Sequence, residues 1–68
     1  MTITLNGEPF TADRALTIAD LLARLEINGA RVAVERNFAI VKRDRYATTE
    51  ISDGDQIEIV NFVGGGYA

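Results

Sequence analysis

The side chains usually recruited for catalysis are scarce in this chain. Its 68 residues include no histidine and no cysteine, so the commonest general base and the thiolate nucleophile are both missing. Asp13, Asp20, Glu26, Glu35 and Glu50 are scattered, and no pair of them sits at a spacing that argues acid–base catalysis. Asp53 and Asp55 flank Gly54 and read as turn chemistry; two aspartates do not make a calcium loop. No residue is therefore assigned as catalytic, and none as a metal ligand. What remains is Gly64-Gly65-Gly66, followed by Tyr67 and Ala68. A phosphate-binding loop is excluded, because it needs a lysine and a following helix whose N-terminus faces the phosphates. Two readings are left. A glycine-rich end can be frayed and without function. Alternatively, a backbone carboxylate at the glycines is itself the reactive group. Residues without Cβ can thread a narrow channel and leave the carbonyl open to attack. A carboxylate is a poor electrophile and must be activated, typically as an acyl-phosphate or acyl-adenylate. The catalytic side chains would then belong to a partner enzyme.

Composition narrows the partners. Ten acids stand against seven bases, a net charge of −3. Only Lys42-Arg43-Asp44-Arg45 is locally basic, which argues against nucleic acid. Arg36, Lys42, Arg43 and Arg45 could meet acids on a partner, but a solvated face is their ordinary use. No apolar run approaches the length of a membrane helix. The start, MTITLNGEPF, lacks the basic and apolar regions of a signal peptide. The expectation is a cytoplasmic protein with no membrane partner. The length fits one domain, and one this small buries only roughly 60% of its unfolded surface, leaving little room for a cleft.

The elements that must carry the glycines follow from periodicity. TITLN alternates, with Ile3 and Leu5 on one face, as in a half-buried strand. Asn6-Gly7 is a hairpin signal, and a second strand is expected at about Glu8 to Ala12, at a sheet edge because Pro9 lacks a donor. Thr17 is an N-cap with Asp20 three residues on. Ile18, Leu21, Leu22 and Leu25 then form one apolar face, and Asn28-Gly29 is expected to end the helix, with Gly29 as its left-handed cap. RVAVERN reads as a strand with Val32 and Val34 on one side, FAIVK as a short strand, and RDRYATTEI as irregular. After the turn at Asp53–Asp55, QIEIVNF is the last strand, with Ile57 and Ile59 inward. Phe10 and Tyr46 read as packing residues, Phe38 and Ile40 as core or cover. The order β-β-α-β-β-β predicts an α+β, two-layer domain: a β-grasp (ubiquitin-like) fold with a mixed sheet of four to five strands and one main helix packed across one face. The domain is assigned to residues 1–63 and a flexible glycine-rich tail to 64–68.

Three stretches carry a family resemblance that covers nearly the whole chain: VAVERN from Val32 to Asn37, DGDQIEIVNFVGGG from Asp53 to Gly66, and TIADLLARL on the helix. The chain resembles the ThiS-type sulfur carrier proteins of thiamin biosynthesis. That resemblance implies a co-substrate and not an enzyme, with no bound cofactor. An E1-like adenylyltransferase (ThiF type) would use ATP and magnesium to activate the Gly66 carboxylate, with Gly65 and Gly64 as its approach. A sulfur donor, such as a cysteine desulfurase persulfide, would convert the adenylate to a thiocarboxylate, and thiazole synthase (ThiG type) would take the sulfur.

The departure from the family is Tyr67-Ala68, since its members normally end on the glycines. A channel that fits glycines should reject the tyrosine ring, so a C-terminal peptidase is expected to cut between Gly66 and Tyr67. If the last strand stays regular, Glu58, Val60 and Phe62 share the outer face. Val60 and Phe62 would then dock partners beside the tail; a bulge would instead return Phe62 to the core. Two alternatives remain at this point. One is a sulfur carrier of another pathway, such as that of molybdopterin, cysteine or a related cofactor. The other is a non-covalent ubiquitin-like interaction module.

Overall fold

The computed structural model of the protein describes residues 1–61. Within them the chain forms β1 (Thr2–Leu5), β2 (Glu8–Thr11), α1 (Ile18–Arg24), β3 (Val32–Arg36), β4 (Ala39–Val41) and β5 (Gln56–Asn61). The five strands make one sheet in the order β2-β1-β5-β3-β4. β1 and β5 run parallel; the other pairs are antiparallel. This is the expected mixed sheet with one main helix. Pro9 lies on the edge strand β2, as its missing donor requires. The segment read as irregular contains a 3-10 turn at Arg43–Arg45.

Alternation decides which side chains go inside. Ile3, Val34 and Ile57 from the sheet meet Ile18 and Leu21 from α1, all nearly inaccessible to solvent. Each such side chain contributes about 1.5–3 kcal/mol by leaving water. Tyr46 is buried beside them, and its hydroxyl donates to the Val32 carbonyl at 3.4 Å. Phe10, Leu25 and Ile59 pack partly buried against this cluster. A reciprocal capping box starts α1: Thr17 Oγ1 accepts the Asp20 N–H and Asp20 Oδ2 accepts the Thr17 N–H, both at 3.0 Å. The Thr17 backbone N–H is the chief reason the Asp20 carboxyl is held below its ordinary range.

Two expectations fail. The helix does not run to Asn28-Gly29. It ends at Arg24, and Glu26, not Gly29, takes the left-handed conformation, with φ 60°. The Ile27 N–H donates to the Leu22 carbonyl at 2.9 Å and the Glu26 N–H to Ala23 at 3.1 Å, which is a Schellman closure. Stopping here turns Ile27 back onto the core. Gly29 instead begins a 3-10 turn, Gly29–Arg31. A Cβ on it would lie 3.4 Å from both Leu22 and Tyr46, in ordinary van der Waals contact. Phe38 and Ile40 are not core or cover either; they are 77% and 67% exposed. Phe38 occupies a two-residue turn, and Ile40 lies opposite Glu35 on the sheet face away from α1.

Candidate functional site

β5 is the strand that leads to the glycines, and it occupies the middle of the sheet. Its partners do not span it evenly. β1 pairs with only its first residues, Gln56 and Ile57, whereas β3 pairs from Ile57 to Asn61. Two asparagine side chains supply what the strands leave out. Asn6 Oδ1 accepts the Ile59 N–H at 2.8 Å, and its Nδ2 donates to the Ile59 carbonyl at 3.4 Å. The amide thus imitates one more residue of β1. On the opposite side, and at the other end of β5, Asn37 Oδ1 accepts the Gln56 N–H at 2.9 Å. The backbone N–H of Asn37 also donates to the Gln56 carbonyl at 2.7 Å.

Both asparagines have positive φ, 50° and 52°, and each opens a two-residue turn, Asn6-Gly7 and Asn37-Phe38. Asparagine tolerates that conformation better than other side chains. The turn chemistry and the hold on β5 therefore come from the same residues.

Asp55 ties the start of β5 to the β3–β4 turn. It is 7% exposed. Its carboxylate accepts from Arg36 Nε at 2.7 Å, Asn37 Nδ2 at 3.0 Å and the Ser52 N–H at 2.8 Å. Burial pushes this carboxyl up, but the hydrogen bonds from Ser52, Arg36 and Asn37, with the Arg36 charge, outweigh it and leave the group below its ordinary range. Arg36, read with the solvated cations, is thus held in an ion pair within the chain while its side chain stays partly exposed. Asp55 does more than shape a turn.

Val60 is the predicted docking residue that the structure describes. It lies opposite Ala33 on the outer face and is 54% exposed. Phe62, Gly64, Gly65, Gly66 and the bond between Gly66 and Tyr67 lie outside the described residues. Among the described residues, no group of His, Cys, Asp or Glu could hold a metal ion, and no helix is long and apolar enough to cross a membrane. Sequence reasoning missed the second use of Asn6 and Asn37. The available signal was an asparagine heading each two-residue turn beside a strand.

The ThiS family model matches residues 3–66, from β1 through the third glycine. The chain belongs to the ThiS family. It is 52% identical over 50 residues to the sulfur carrier protein ThiS of Bacillus subtilis, covering 74% of this chain and 76% of that one. It is 47% identical over 66 residues to the thiazole synthase of Magnetococcus marinus, covering 97% of this chain. The match takes up only 20% of that synthase, so the chain spans a fifth of the length of that relative. The crystal structure of the ThiS thiamine biosynthesis protein from Geobacter metallireducens superposes with a TM-score of 0.85 at 36% identity, covering 97% of this chain and all of that one.

Proposed function

We propose that this ThiS-family chain is a sulfur carrier for thiazole formation in thiamin biosynthesis, a protein co-substrate and not a catalyst. The observation that carries the reading is the extent of the family match, which spans residues 3–66, from β1 to the last of Gly64-Gly65-Gly66. The Gly66 carboxylate attacks the α-phosphorus of ATP on an E1-like adenylyltransferase of the ThiF type, with magnesium, and pyrophosphate leaves. A sulfur donor such as a cysteine desulfurase persulfide then displaces AMP to give an acyl disulfide. Attack of a thiol on the donor's sulfur breaks the S–S bond, releasing the thiocarboxylate and leaving the donor and the thiol joined as a disulfide. A thiazole synthase of the ThiG type takes up the sulfur. The likeness to a thiazole synthase over a fifth of its length supports that partner. Val60, with Phe62, is the contact beside the tail. Gly66 has no carboxylate while it is bonded to Tyr67, so a peptidase must first hydrolyse that bond.

The test is adenylation in vitro. Chain ending at Gly66, full chain with Tyr67-Ala68, and a Gly65→Ala/Gly66→Ala chain ending at residue 66 are each incubated with the activating enzyme and labelled ATP. ATP–pyrophosphate exchange with the first chain alone is the expected result. Equal exchange with the double alanine variant would contradict the role of the glycines; exchange with the full chain would remove the need for cleavage.

A further inference from the structure

The two edges of the sheet are finished differently. In both hairpins the pair flanking the two-residue turn, Leu5 with Glu8 and Arg36 with Ala39, is a hydrogen-bonded pair. The next pair, Thr4 with Pro9 and Glu35 with Ile40, is then a non-hydrogen-bonded one. Bonds to β5 confirm the phase: the Thr4 N–H donates to the Asp55 carbonyl and the Asn37 N–H to Gln56. The backbones of Pro9 and Ile40 therefore face out from the two edges. Pro9 has no N–H, which blunts the β2 edge. Ile40 has both polar groups and an exposed side chain.

Along β4 runs an open groove of about 400 Å³, lined by Ala39, Ile40, Val41 and Thr49 and by three cationic residues, Arg36, Lys42 and Arg45. Three of the seven cations of an acidic chain thus converge on one sheet edge. Arg36 is paired with Asp55, the one ion pair among the described residues. Lys42 and Arg45 carry the remaining positive charge of the groove.

We propose that the β4 edge is a strand-addition site for an extended segment of a partner protein with an acidic–apolar–acidic alternation. A strand paired with β4 puts the residue opposite Ile40 on the outer sheet face, where Ile40 offers apolar contact. Its two neighbours lie opposite Ala39 and Val41, within reach of Lys42 and Arg45 in the same groove, which complement carboxylates. A second copy of this chain is the poorer occupant, because β4 against β4 would set Lys42 and Arg45 against their own counterparts. The site lies two strands from β5, roughly 10 Å away at ordinary strand spacing. An anchored partner leaves the end of β5 uncovered. The inference stands on the edge geometry, independently of the carrier chemistry.

The test is a titration of the isotope-labelled full chain with a capped peptide carrying Asp-Val-Asp between Gly-Ser flanks, and with its Lys-Val-Lys counterpart. The acidic peptide should give saturable amide shifts centred on Ala39–Lys42, protect the Ile40 N–H from hydrogen exchange, and bind more weakly as salt rises. Ile40→Pro removes the outward donor without touching the pairing with β3 and should abolish binding. Lys42→Glu/Arg45→Glu, at two exposed positions, should weaken it about tenfold, as expected for losing two exposed ion pairs. Equal binding of both peptides, shifts centred elsewhere, no saturable shift at millimolar peptide, or unchanged binding by the double glutamate variant would overturn the proposal.

Discussion

The two hairpins share a plan and differ in how far they obey local rules. Each has a two-residue turn opened by an asparagine with positive φ, and each uses that asparagine to hold β5. In β1–β2 the second turn residue is Gly7, at φ 84°, where glycine meets no penalty. Its edge is blunted by Pro9. In β3–β4 the second turn residue is Phe38, at φ 72°. A bulky side chain there is an outlier that costs on the order of 1–3 kcal/mol. Phe38 and Ile40 are both exposed, and Glu35 stands directly opposite Glu58 on the outer face, a like-charge pairing that weakens a sheet. One hairpin is thus built for stability. The other gathers most of the violations, and such gatherings mark surfaces kept for a purpose beyond folding.

The comparison can be broken hardest at the Asp55 side chain, which bonds Arg36 and Asn37 of the β3–β4 hairpin and nothing of β1–β2. Asp55→Ala leaves Arg36, Asn37 and the Ser52 N–H without their acceptor and should lower stability by about 2–4 kcal/mol in urea unfolding. The same group sets an acid limit. Its folded-state pKa lies below the ordinary 3.8, so its contribution is complete above that value and disappears as pH falls through the folded pKa. Asp55→Asn should flatten this part of the acid unfolding curve; an unchanged curve would show that Asp55 is not the group responsible.

Next come the asparagines. Asn37→Gly and Asn6→Gly keep the turn geometry and delete only the side-chain hold. Each should lose about 1–2 kcal/mol, with Asn37→Gly the larger because its second bond goes to a carboxylate at 3.0 Å, whereas that of Asn6 goes to a carbonyl at 3.4 Å. Equal losses would mean that the bond to Asp55 adds no more than the bond from Asn6 to the Ile59 carbonyl. The smallest effects come from exchanging the second turn residues. Gly7→Phe should destabilise by about 1–2 kcal/mol, and Phe38→Gly should stabilise by about 1 kcal/mol, offset partly by glycine's entropy in the unfolded chain. A destabilising Phe38→Gly would place Phe38 in the structural account after all.

Much of this architecture was legible in the sequence because it rests on short periods. Alternation identified Ile3, Val32, Val34 and Ile57 as inward, and Thr17 with Asp20 marked the helix start. The helix end was misread because Asn28-Gly29 looks like a stop, whereas the pull of Ile27 toward the core closes the helix earlier at Glu26. The exposure of Ile40 was hidden, since an apolar residue in a short edge strand does not state its side, and that of Phe38 because a bulky apolar residue is not a turn signal. The hold on β5 was out of reach. Asn6 and Ile59 are 53 positions apart, and Asn37 and Gln56 are 19 apart, separations that only the assembled sheet brings together. The chemistry proposed at Gly66 rests on the glycines and the family resemblance, and β5 is the strand that precedes them in the chain.

The central claim is that sulfur is carried on Gly66. The most direct test is the intact mass of the protein isolated from its own cells without reductant. The account predicts a species ending at Gly66 together with a fraction heavier by the exchange of one oxygen for one sulfur. A single species that retains Tyr67 and Ala68, with no sulfur-bearing form, would contradict it.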